Sequence, residues 1–453
     1  REEIARTLPE NLFVEEQSMA AEIDELEREV YALTYAYDRN DRLLERKEGD
    51  LEAKRELYTI LMRTIQERYP QYAITKRRDL GNVRSLPVRS GEAVLIYHVL
   101  PRGVFVWAIT PGQSGAAIRS FARINTDIRL PLWKALQGFY LREDPDSISQ
   151  ESLDLLSDQL LKPVLSTLTT ASRLTIVRDG ALAQLPFEML PSPDDSKQMV
   201  LDRWMVGYYP SLLSMMVIRT SAQSEKEFGE KVLLVGDAQY KLTPDTNQPD
   251  NVKGAKRVKL RSGKSLDELP YSAVEIRRIG ELFRSRDLQT TILRRSAASE
   301  GRIKQLKLEE YKYLHFAVHG LLAYEVIDVG EPSLALSVGG NGDNGFLTAS
   351  EVMGLRLNAE LAVLSACDTA LGEYHPGEGY ANLARAFMSA GAESVIVSQW
   401  AVEDQSTAEL MVELYRNLAK GLSAPEALKA AKITLRKQYP SPYYWAPFVL
   451  MGG

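Results

Sequence analysis

The sequence predicts an α/β fold in which a doubly wound, mostly parallel sheet follows an N-terminal segment of long helices. From residue 231 onward, apolar strand-like runs alternate regularly with amphipathic helical stretches, and the short links between them favour a parallel sheet covered on both faces. Residues 86–224 contain further strand-like runs, whereas residues 11–68 show a helical period of apolar side chains. The chain is thus predicted to combine a helical segment with an α/β body.

The first segment, residues 11–68, is rich in charged residues and poor in glycine and proline. Its apolar residues alternate in spacing between four and three positions, which defines a heptad seam. The seam consists of Met19, Ile23, Leu26, Val30, Leu33 and Tyr37. We expect two long antiparallel helices with a break at Gly49. The second helix would present Leu57, Leu61 and Ile65 on one face. The apolar stripe either packs on the body of the protein, which is the simpler interpretation, or docks on an upstream helical array or a partner.

Residues 86–224 are predicted to form one α+β or α/β unit. Its expected elements are strands at 92–100, 104–110 and 174–177 and a helix near 153–161. Pro101-Arg102-Gly103 separates the first two strands, which favours a β-hairpin. The unit contains one of the four histidines, His98, and no cysteine, so we expect no nucleophile–base pair in it.

Residues 231–453 supply the alternation of strands and helices. We expect strands at 232–235, 290–293, 313–318, 361–364, 394–398 and 447–450. We expect helices at 272–283, 298–306, 349–353, 380–390, 406–419 and 424–437.

The composition excludes several classes of protein. With 55 basic and 61 acidic side chains, the net charge of −6 gives no general attraction to nucleic acid or anionic membranes, so we expect neither as a direct partner. A single cysteine excludes a disulfide or a cysteine-cluster metal site within the chain. The single cysteine also fits a reducing, cytoplasmic compartment best. Since the sequence shows no run of about 18 apolar residues and no signal h-region at its start, we expect a soluble protein. Because it starts at Arg1 rather than methionine, we expect the sequence to be an excerpt of a longer chain.

Two strand ends carry the residues best suited to chemistry. In open α/β sheets the functional crevice lies beyond the carboxyl ends of the strands. The strand at 313–318 leads into His319-Gly320, and the strand at 361–364 leads towards Cys367. A right-handed crossover between them would make the two strands parallel neighbours or near neighbours. Because adjacent strands lie about 4.8 Å apart, His319 and Cys367 would then meet at one edge of the sheet.

This pair favours a cysteine nucleophile with a histidine acid/base. A thiolate is the reactive form of cysteine, and a nearby imidazole can remove the thiol proton and later protonate a leaving amine. The backbone amides of Gly320 and Cys367 could bind the oxyanion, since glycine permits close approach of the backbone. The alternative is an inert buried thiol. Small neighbours, the polar Asp368-Thr369 pair and the His-Gly strand end favour the nucleophile.

A metal site at the same place is the weaker interpretation. His315 precedes His319 by four residues, and His375 and Cys367 could complete a ligand set. However, the segment is predicted to be a strand rather than a helix, and no HExxH motif is present. We therefore predict no metal and interpret His315 as a hydrogen-bonded core histidine.

Three further segments could border the same cleft. Residues 340–345 fit the GxGxxG pattern of dinucleotide sites but are more typical of a turn, with a helix and its capping box beginning at Thr348. Residues 372–379 form either a plain connection or a wall of the cleft that orders on activation. Asp404 either caps the helix that follows it or supplies negative charge to a specificity pocket.

Several of these segments belong to one recurring set of motifs. The set comprises residues 176–180, 185–188, 209–211, 269–270 with Glu275, 314–320, 364–370, 377–379, 383–387, 391–392, Trp400 with Asp404, and 444–448. Together they resemble the CHAT domain proteases, which are caspase-like cysteine peptidases related to separase. The resemblance covers roughly residues 86–453.

The resemblance implies a function and a division of the chain. His319 matches the family's catalytic histidine and Cys367 its nucleophile, in a cysteine endopeptidase that cleaves a protein substrate and needs no cofactor. Asp404 matches a residue of the S1 pocket, which would face a basic P1 side chain. The implied domains are a helical arm (1–72), a pseudo-caspase half (73–225) and a catalytic caspase-like half (226–453).

The resemblance also implies regulation. Proteins of this kind commonly carry upstream helical repeats, often TPRs, that sense a trigger, and many belong to bacterial defence systems. We therefore expect activity that is switched on by an upstream helical-repeat sensor or an activating partner, with antiviral defence as one context. The alternative, from a different functional class, is a catalytically silent caspase-like scaffold that recruits partners. The intact pair of His319 and Cys367 argues against it. Nucleotide binding at residues 340–345 is a third and weaker hypothesis.

Overall fold

A pair of long helices and an α/β body make up the computed structural model. It describes residues 9–34, 41–68, 83–100, 103–113, 115–141, 148–221, 227–240, 266–284, 288–322, 329–338, 343–365, 373–375, 379–381, 383–401 and 403–453. Cys367 and residues 340–342 lie outside these ranges. No helix among the described residues combines the length and the apolar character needed to cross a bilayer.

The helices and strands are given in chain order. The helices are α1 (Glu10–Thr34), α2 (Asp41–Arg68), α3 (Arg129–Leu141), α4 (Gln150–Leu160), α5 (Leu165–Leu168), α6 (Val200–Arg203), α7 (Leu212–Ser221), α8 (Pro270–Arg284), α9 (Glu300–Lys304), α10 (Ala349–Met353), α11 (Leu383–Ala390), α12 (Asp404–Ala419), α13 (Ala424–Gln438) and α14 (Pro442–Trp445). The strands are β1 (Glu92–Leu100), β2 (Gly103–Gly112), β3 (Gly115–Ile124), β4 (Arg173–Val177), β5 (Pro191–Ser192), β6 (Asp195–Met199), β7 (Met205–Tyr209), β8 (Lys231–Gly236), β9 (Thr290–Arg294), β10 (Tyr311–Ala317), β11 (His319–Leu321), β12 (Ser333–Ala335), β13 (Phe346–Thr348), β14 (Leu361–Leu364), β15 (Glu373–His375), β16 (Gly379–Ala381), β17 (Ser394–Ser398) and β18 (Phe448–Gly452).

Helices α1 and α2 pack antiparallel, as predicted. The Tyr58 hydroxyl donates to Glu16 Oε1 at 2.7 Å, and Lys47 Nζ lies 2.5 Å from a carboxylate oxygen of Glu29. The first part of α1 therefore lies beside the last part of α2. Glu16 is fully buried in this contact, so the hydroxyl satisfies a carboxylate that the helix pair removes from water.

The predicted break at Gly49 is wrong, because α2 continues through this residue from Asp41 to Arg68. A glycine inside a helix costs about 1 kcal/mol relative to alanine. The burial of Leu44 and Leu51 on either side, at 1% and 7% exposure, offsets that cost. Tertiary packing therefore overrides the local preference for a break.

The buried face of α2 also differs from the predicted one. Leu44, Leu51 and Ile65 are buried at multiples of seven residues, which is the heptad period. Leu57, predicted to share a face with Ile65, is 51% exposed. Eight residues correspond to about 80° of rotation around a helix, whereas seven correspond to only about 20°. Leu57, eight residues before Ile65, is therefore turned away from the buried face of α2.

One eleven-stranded sheet forms the centre of the body, in the order β3-β2-β1-β4-β7-β18-β17-β14-β10-β8-β9. Neighbouring strands are parallel except for β1 with β2, β2 with β3, and β17 with β18. This arrangement confirms the predicted mostly parallel α/β sheet. Strands β14 and β17 are buried along their whole length, as expected for parallel strands covered on both faces.

Strand β18 connects the two parts of this sheet. It runs parallel to β7 and antiparallel to β17. Strands β1 to β4 and β7 come from residues 73–225, and the remaining strands of the large sheet come from residues 226–453. The predicted division into residues 1–72, 73–225 and 226–453 stays a prediction, because one sheet spans the two later segments.

Most predicted elements form, with differences at their ends. The predicted hairpin is confirmed, since β1 pairs with β2 and Leu100 lies opposite Gly103. The helix predicted at 380–390 begins only at Leu383, because residues 379–381 pair as β16 with β15. The helix predicted at 298–306 is limited to α9, because the backbone of Ala298 is not helical (φ −77°, ψ 58°).

A buried ion pair links α13 to Glu188, which in turn contacts the strand β7. Lys432 is fully buried, and its Nζ lies 2.8 Å from Glu188 Oε1. The Tyr208 hydroxyl donates to the other carboxylate oxygen of Glu188. Burial lowers the pKa of Lys432, and the Glu188 carboxylate opposes this shift. The contact joins a helix of the last segment to a strand of the middle one.

Candidate active site

Strand β10 places His319 at the carboxyl edge of the large sheet. Its parallel neighbour is β14, with Phe316 opposite Leu364, and the Ser365 amide donates to the Phe316 oxygen at 2.9 Å. The predicted adjacency of the two strands is confirmed. His319 follows Phe316 by three residues, and Cys367 follows Leu364 by three. Cys367 itself lies outside the described residues.

The connection from β10 to β14 contains more than the expected crossover helix. Strands β11, β12 and β13 form a small antiparallel sheet before α10. His319 begins β11, and Gly320 is buried opposite Leu334 of β12. His319 is therefore held between two sheets rather than in a loop. The oxyanion role of Gly320 stays a prediction.

In the part of the chain that the structure describes, two groups hold the imidazole of His319. Its Nε2 lies 2.7 Å from the backbone oxygen of Asp267, and the ring of Tyr240 packs against it with 5.0 Å between ring centroids. A carbonyl oxygen can only accept, so Nε2 donates, and in the neutral imidazole Nδ1 is the basic nitrogen. The Tyr240 hydroxyl also accepts from the His319 amide at 3.3 Å. The contacts therefore define both the orientation and the tautomer of the ring.

A strained turn after β8 positions Tyr240. Asp237 in this turn has a φ of 52°, a left-handed conformation that residues other than glycine adopt rarely. The Arg295 amide donates to the Asp237 oxygen at 2.8 Å, and the Gln239 amide donates to Ser337 Oγ at 2.7 Å. These hydrogen bonds stabilise the turn that brings Tyr240 to His319.

Asp267 belongs to a short segment that leads into α8. Leu266 beside it is buried in a small apolar cluster with Leu321. At the start of α8, Ser272 Oγ donates to the Leu269 oxygen at 2.7 Å and accepts from the Asp237 amide at 3.0 Å. The segment that carries the Asp267 oxygen is therefore tied to the same edge of the sheet as Tyr240.

Asp404 is the first residue of α12, and its carboxylate binds another helix. Its Oδ2 accepts from the Tyr271 amide, in the first turn of α8, at 2.7 Å. The expected alternative, a cap on its own helix, is not observed, because Glu403 occupies the N-cap position. Burial raises the pKa of Asp404, the Tyr271 amide lowers it, and Glu275 and Glu403 raise it again, so that the net shift is upward. The specificity role of Asp404 stays a prediction.

Aromatic contacts anchor the segment before Asp404. Trp400 is buried, stacks on Phe139 with 4.7 Å between ring centroids, and donates to the Tyr443 oxygen at 3.0 Å. The Tyr443 hydroxyl in turn donates to the Ala401 oxygen at 3.0 Å. These contacts fix the start of α12, and with it the position of Asp404.

His315 is confirmed as a hydrogen-bonded core histidine. It is fully buried, and its Nε2 lies 2.7 Å from Glu275 Oε1. The edge of the ring faces Tyr415 at 5.3 Å. Among the described residues, no group of three or more histidine, cysteine and acidic side chains is arranged to hold a metal ion. Cys367 and the side chain of His375 lie outside the part that the structure describes.

The loop at 340–345 is described from Asp343 onward. The side chain of Asn344 accepts from the Phe346 amide two residues on, at 2.8 Å, a contact that is typical of turns. Asp343 accepts from the Gly301 amide of α9 at 2.9 Å. Thr348 and Glu351 then exchange the reciprocal hydrogen bonds of the predicted capping box. The described part of the loop therefore supports the turn interpretation.

Sequence reasoning missed the contacts of the His319 side chain with Asp267 and Tyr240. The contact with Asp267 uses a backbone oxygen, so no pattern of side chains could indicate it. Tyr240 could have been identified by the rule that located His319, which looks for functional residues after the carboxyl ends of strands. Tyr240 follows β8 at the same edge of the sheet.

The fold is similar to that of a solved complex. The crystal structure of the Saccharomyces cerevisiae separase–securin complex matches with a TM-score of 0.52 and 10% identity, over 86% of this chain and 31% of that chain. At this level of identity the similarity concerns the fold alone.

Two curated relatives share part of the sequence. Tetratricopeptide repeat protein 28 of Mus musculus is 35% identical over 108 residues, and its Homo sapiens counterpart is 34% identical over 108 residues. The matched part is 23% of this chain but only 4% of either relative. The chain therefore corresponds to a small part of these long proteins.

A family model covers most of the α/β body. The CHAT domain model matches residues 150–453, which is more than half of the chain and includes β4, β18 and every strand between them. His319, Asp404 and the position of Cys367 all lie within the match. The chain belongs to the CHAT domain family.

Proposed function

We propose that this chain is a cysteine endopeptidase in which Cys367 is the nucleophile and His319 the general base and acid. The observation that carries the proposal is the register of β10 and β14. Phe316 lies opposite Leu364, and both proposed catalytic residues follow three positions later, at the edge where α/β sheets bind their substrates. Membership of the CHAT family and the separase-like fold agree with this reaction.

In the proposed mechanism, His319 Nδ1 removes the proton from Cys367 Sγ, and the thiolate attacks the carbonyl carbon of the scissile bond. The amides of Gly320 and Cys367 donate to the oxyanion that forms. The imidazolium then protonates the leaving amine. A water molecule, deprotonated by His319, hydrolyses the thioester and restores the thiol. The Asp267 oxygen, 2.7 Å from Nε2, maintains the tautomer and stabilises the transient imidazolium.

The charges around the site support a basic residue before the cut. Asp267 and Glu268 are exposed beside the His319 contact, and Asp404 interacts electrostatically with Glu275 and Glu403. Within this proposal Asp404 belongs to the S1 pocket. An acidic P1 side chain would meet like charge there, so a measured preference for aspartate before the cut would contradict this part of the proposal.

The proposal includes gating by an upstream helical-repeat sensor or an activating partner. Both curated relatives are named as tetratricopeptide repeat proteins, and such repeats stack into extended surfaces that bind partners. Helices α1 and α2 would form the junction to such a sensor. A cytoplasmic location and a role in bacterial antiviral defence belong to the same proposal.

Cleavage assays with matched variants test the dyad. With the activating partner present, we expect Cys367→Ala and His319→Ala to lose cleavage by about 1,000-fold or more. His98→Gln alters an exposed histidine outside the proposed dyad and serves as the control with retained activity. New protein termini, mapped by mass spectrometry, provide the readout. Equal cleavage by wild type and Cys367→Ala would overturn the proposal.

A thiol-reactive peptide probe separates the enzyme from the scaffold alternative. The chain has one cysteine, so covalent labelling identifies Cys367 without ambiguity. We expect labelling by a probe with a basic P1 residue and its loss in His319→Ala. A chain that binds partners but is never labelled under activating conditions would instead be a scaffold.

A further inference from the structure

Asp404 is connected to His319 through one short segment of backbone. Its Oδ2 accepts from the Tyr271 amide at 2.7 Å. Four residues earlier, the Asp267 oxygen lies 2.7 Å from His319 Nε2. The segment 267–271 therefore contacts Asp404 at one end and the proposed catalytic imidazole at the other.

The start of α8 needs an acceptor from outside the helix. The amides of a first helical turn have no partner within the helix, and this end attracts negative charge. Leu269, the residue before α8, has no side-chain acceptor, so it cannot act as a side-chain cap. Pro270 has no backbone N–H, and the Ser272 amide donates to the Leu269 oxygen at 3.1 Å. Asp404 supplies the acceptor for the Tyr271 amide from a different helix.

Other contacts fix the rest of α8 against the sheet. Glu275 contacts His315 of β10 at 2.7 Å, and Ser272 Oγ accepts from the Asp237 amide at the end of β8 at 3.0 Å. Before Ser272, Leu266 packs beside Leu321, and the Leu269 oxygen accepts from Ser272. The hydrogen bond from Tyr271 to Asp404 adds a restraint from α12 at the end from which the chain leads back to Asp267.

We infer that Asp404 is a positioning residue, which holds the segment 267–271 through the Tyr271 amide so that the Asp267 oxygen orients His319 towards Cys367. The inference rests on the proposed dyad. It differs from a role in the S1 pocket in what it requires of the side chain. Positioning needs a hydrogen-bond acceptor, whereas attraction of a basic P1 residue needs the negative charge.

Alkylation with iodoacetamide tests the inference without a substrate. The reagent has no P1 side chain, and the full chain offers it a single cysteine. The dependence of the alkylation rate on pH reports how much thiolate Cys367 carries, and hence its support by His319. We expect Asp404→Ala to slow alkylation at pH 7 by about five- to ten-fold, the effect of one lost hydrogen bond, and to move the profile to higher pH.

Two further variants separate the possible causes. Asp404→Asn keeps an acceptor and is expected to recover most of the wild-type profile. Gln405→Ala removes the neighbouring contact with the Tyr271 hydroxyl, at 3.0 Å, and is the matched control with an unchanged profile. Thermal melting verifies that each variant is folded. If Asp404→Ala does not fold, Asp404→Ser, whose shorter side chain withdraws the acceptor, takes its place.

The outcomes distinguish this inference from the dyad itself. An unchanged profile in the folded Ala or Ser variant would overturn the inference alone. An Asn variant as impaired as the Ala variant would also overturn it, because the charge and not the acceptor would then matter. If wild type and His319→Ala both show the profile of an ordinary thiol, the dyad fails, and the inference fails with it.

Discussion

His98 and His319 show how the partner of a histidine determines its chemistry. Both lie at the carboxyl edge of parallel strands, but His98 Nδ1 contacts a carboxylate oxygen of Asp179 at 2.9 Å, whereas His319 Nε2 contacts a backbone oxygen. A full negative charge favours the protonated ring more strongly than a neutral carbonyl does. The contact with Asp179 therefore favours the protonated form of His98.

The pKa of His98 tests this comparison. The hydrogen bond with Asp179 raises the pKa of His98 above 6.5, although burial and Arg55 lower it. We expect Asp179→Asn to return it towards 6.5, as measured by NMR titration of the four histidines. The raised pKa means that the pair stabilises the fold fully below the unfolded-state pKa, and that this contribution is lost as pH rises through the folded-state value.

The size of this effect is limited by exposure. The His98 side chain is 57% exposed, so we expect at most about 1 kcal/mol in the free energy of unfolding. A stability difference between wild type and Asp179→Asn that increases with pH would contradict the assignment.

At the scale of single elements, α2 shows that packing can outweigh a local helix breaker. Gly49 is exposed, and apart from its chain neighbours and the nearby helix backbone no atom lies within 4 Å of the position that a Cβ would occupy. Gly49→Ala is therefore expected to stabilise the helix pair by up to about 1 kcal/mol. Thermal unfolding followed by circular dichroism measures the change. Leu51→Ala, which truncates a buried side chain of α2, is the control expected to destabilise the helix pair. A lower melting temperature for Gly49→Ala would indicate that the helix does end at this residue.

The length of an element decides how well the sequence predicts it. Strands β14 and β17 are continuous apolar runs bounded by polar residues, so their positions and their burial could be predicted. Strands β11, β12 and β13 have three residues each, which is too few for a periodic pattern. The same limit explains the misplaced start of α11, where the strand β16 resembled the first turn of a helix.

The candidate site was predictable only in part for a different reason. His319 lies at a strand end, and the strand-end rule applies to any α/β sheet. The Asp267 oxygen reaches His319 from 52 residues earlier in the chain, and a backbone group carries no residue-type signal. The contact between Asp404 and Tyr271 likewise depends on how two helices pack, which local sequence does not specify.

At the scale of the whole molecule, the buried pair of Glu188 and Lys432 joins the middle and last segments of the chain. We expect Glu188→Ala to lower the free energy of unfolding by about 3–5 kcal/mol, because it leaves the Lys432 ammonium buried without its partner. Denaturant-induced unfolding measures this change. Replacing both residues, as in Glu188→Leu with Lys432→Met, should restore most of the stability.

A surface pair supplies the control for that experiment. Lys162 contacts Asp158 at 2.9 Å, but both side chains are more than half exposed. Lys162→Ala should therefore change the free energy of unfolding by less than about 1 kcal/mol. A Glu188→Ala variant no less stable than this control would show that the buried pair does not hold the two segments together.

Strand β18 also determines when the body can finish folding during synthesis. Its residue Met451 lies opposite Tyr208 of β7, about 240 residues earlier, a length that a ribosome makes in roughly 10 to 50 s at 5–20 residues per second. Through that interval the edge of β7 lacks its neighbour and is open to pairing with other chains. Both strands that lead to His319 and Cys367 emerge before β18 does. The large sheet can therefore be closed only once β18 has been translated, about 240 residues after β7.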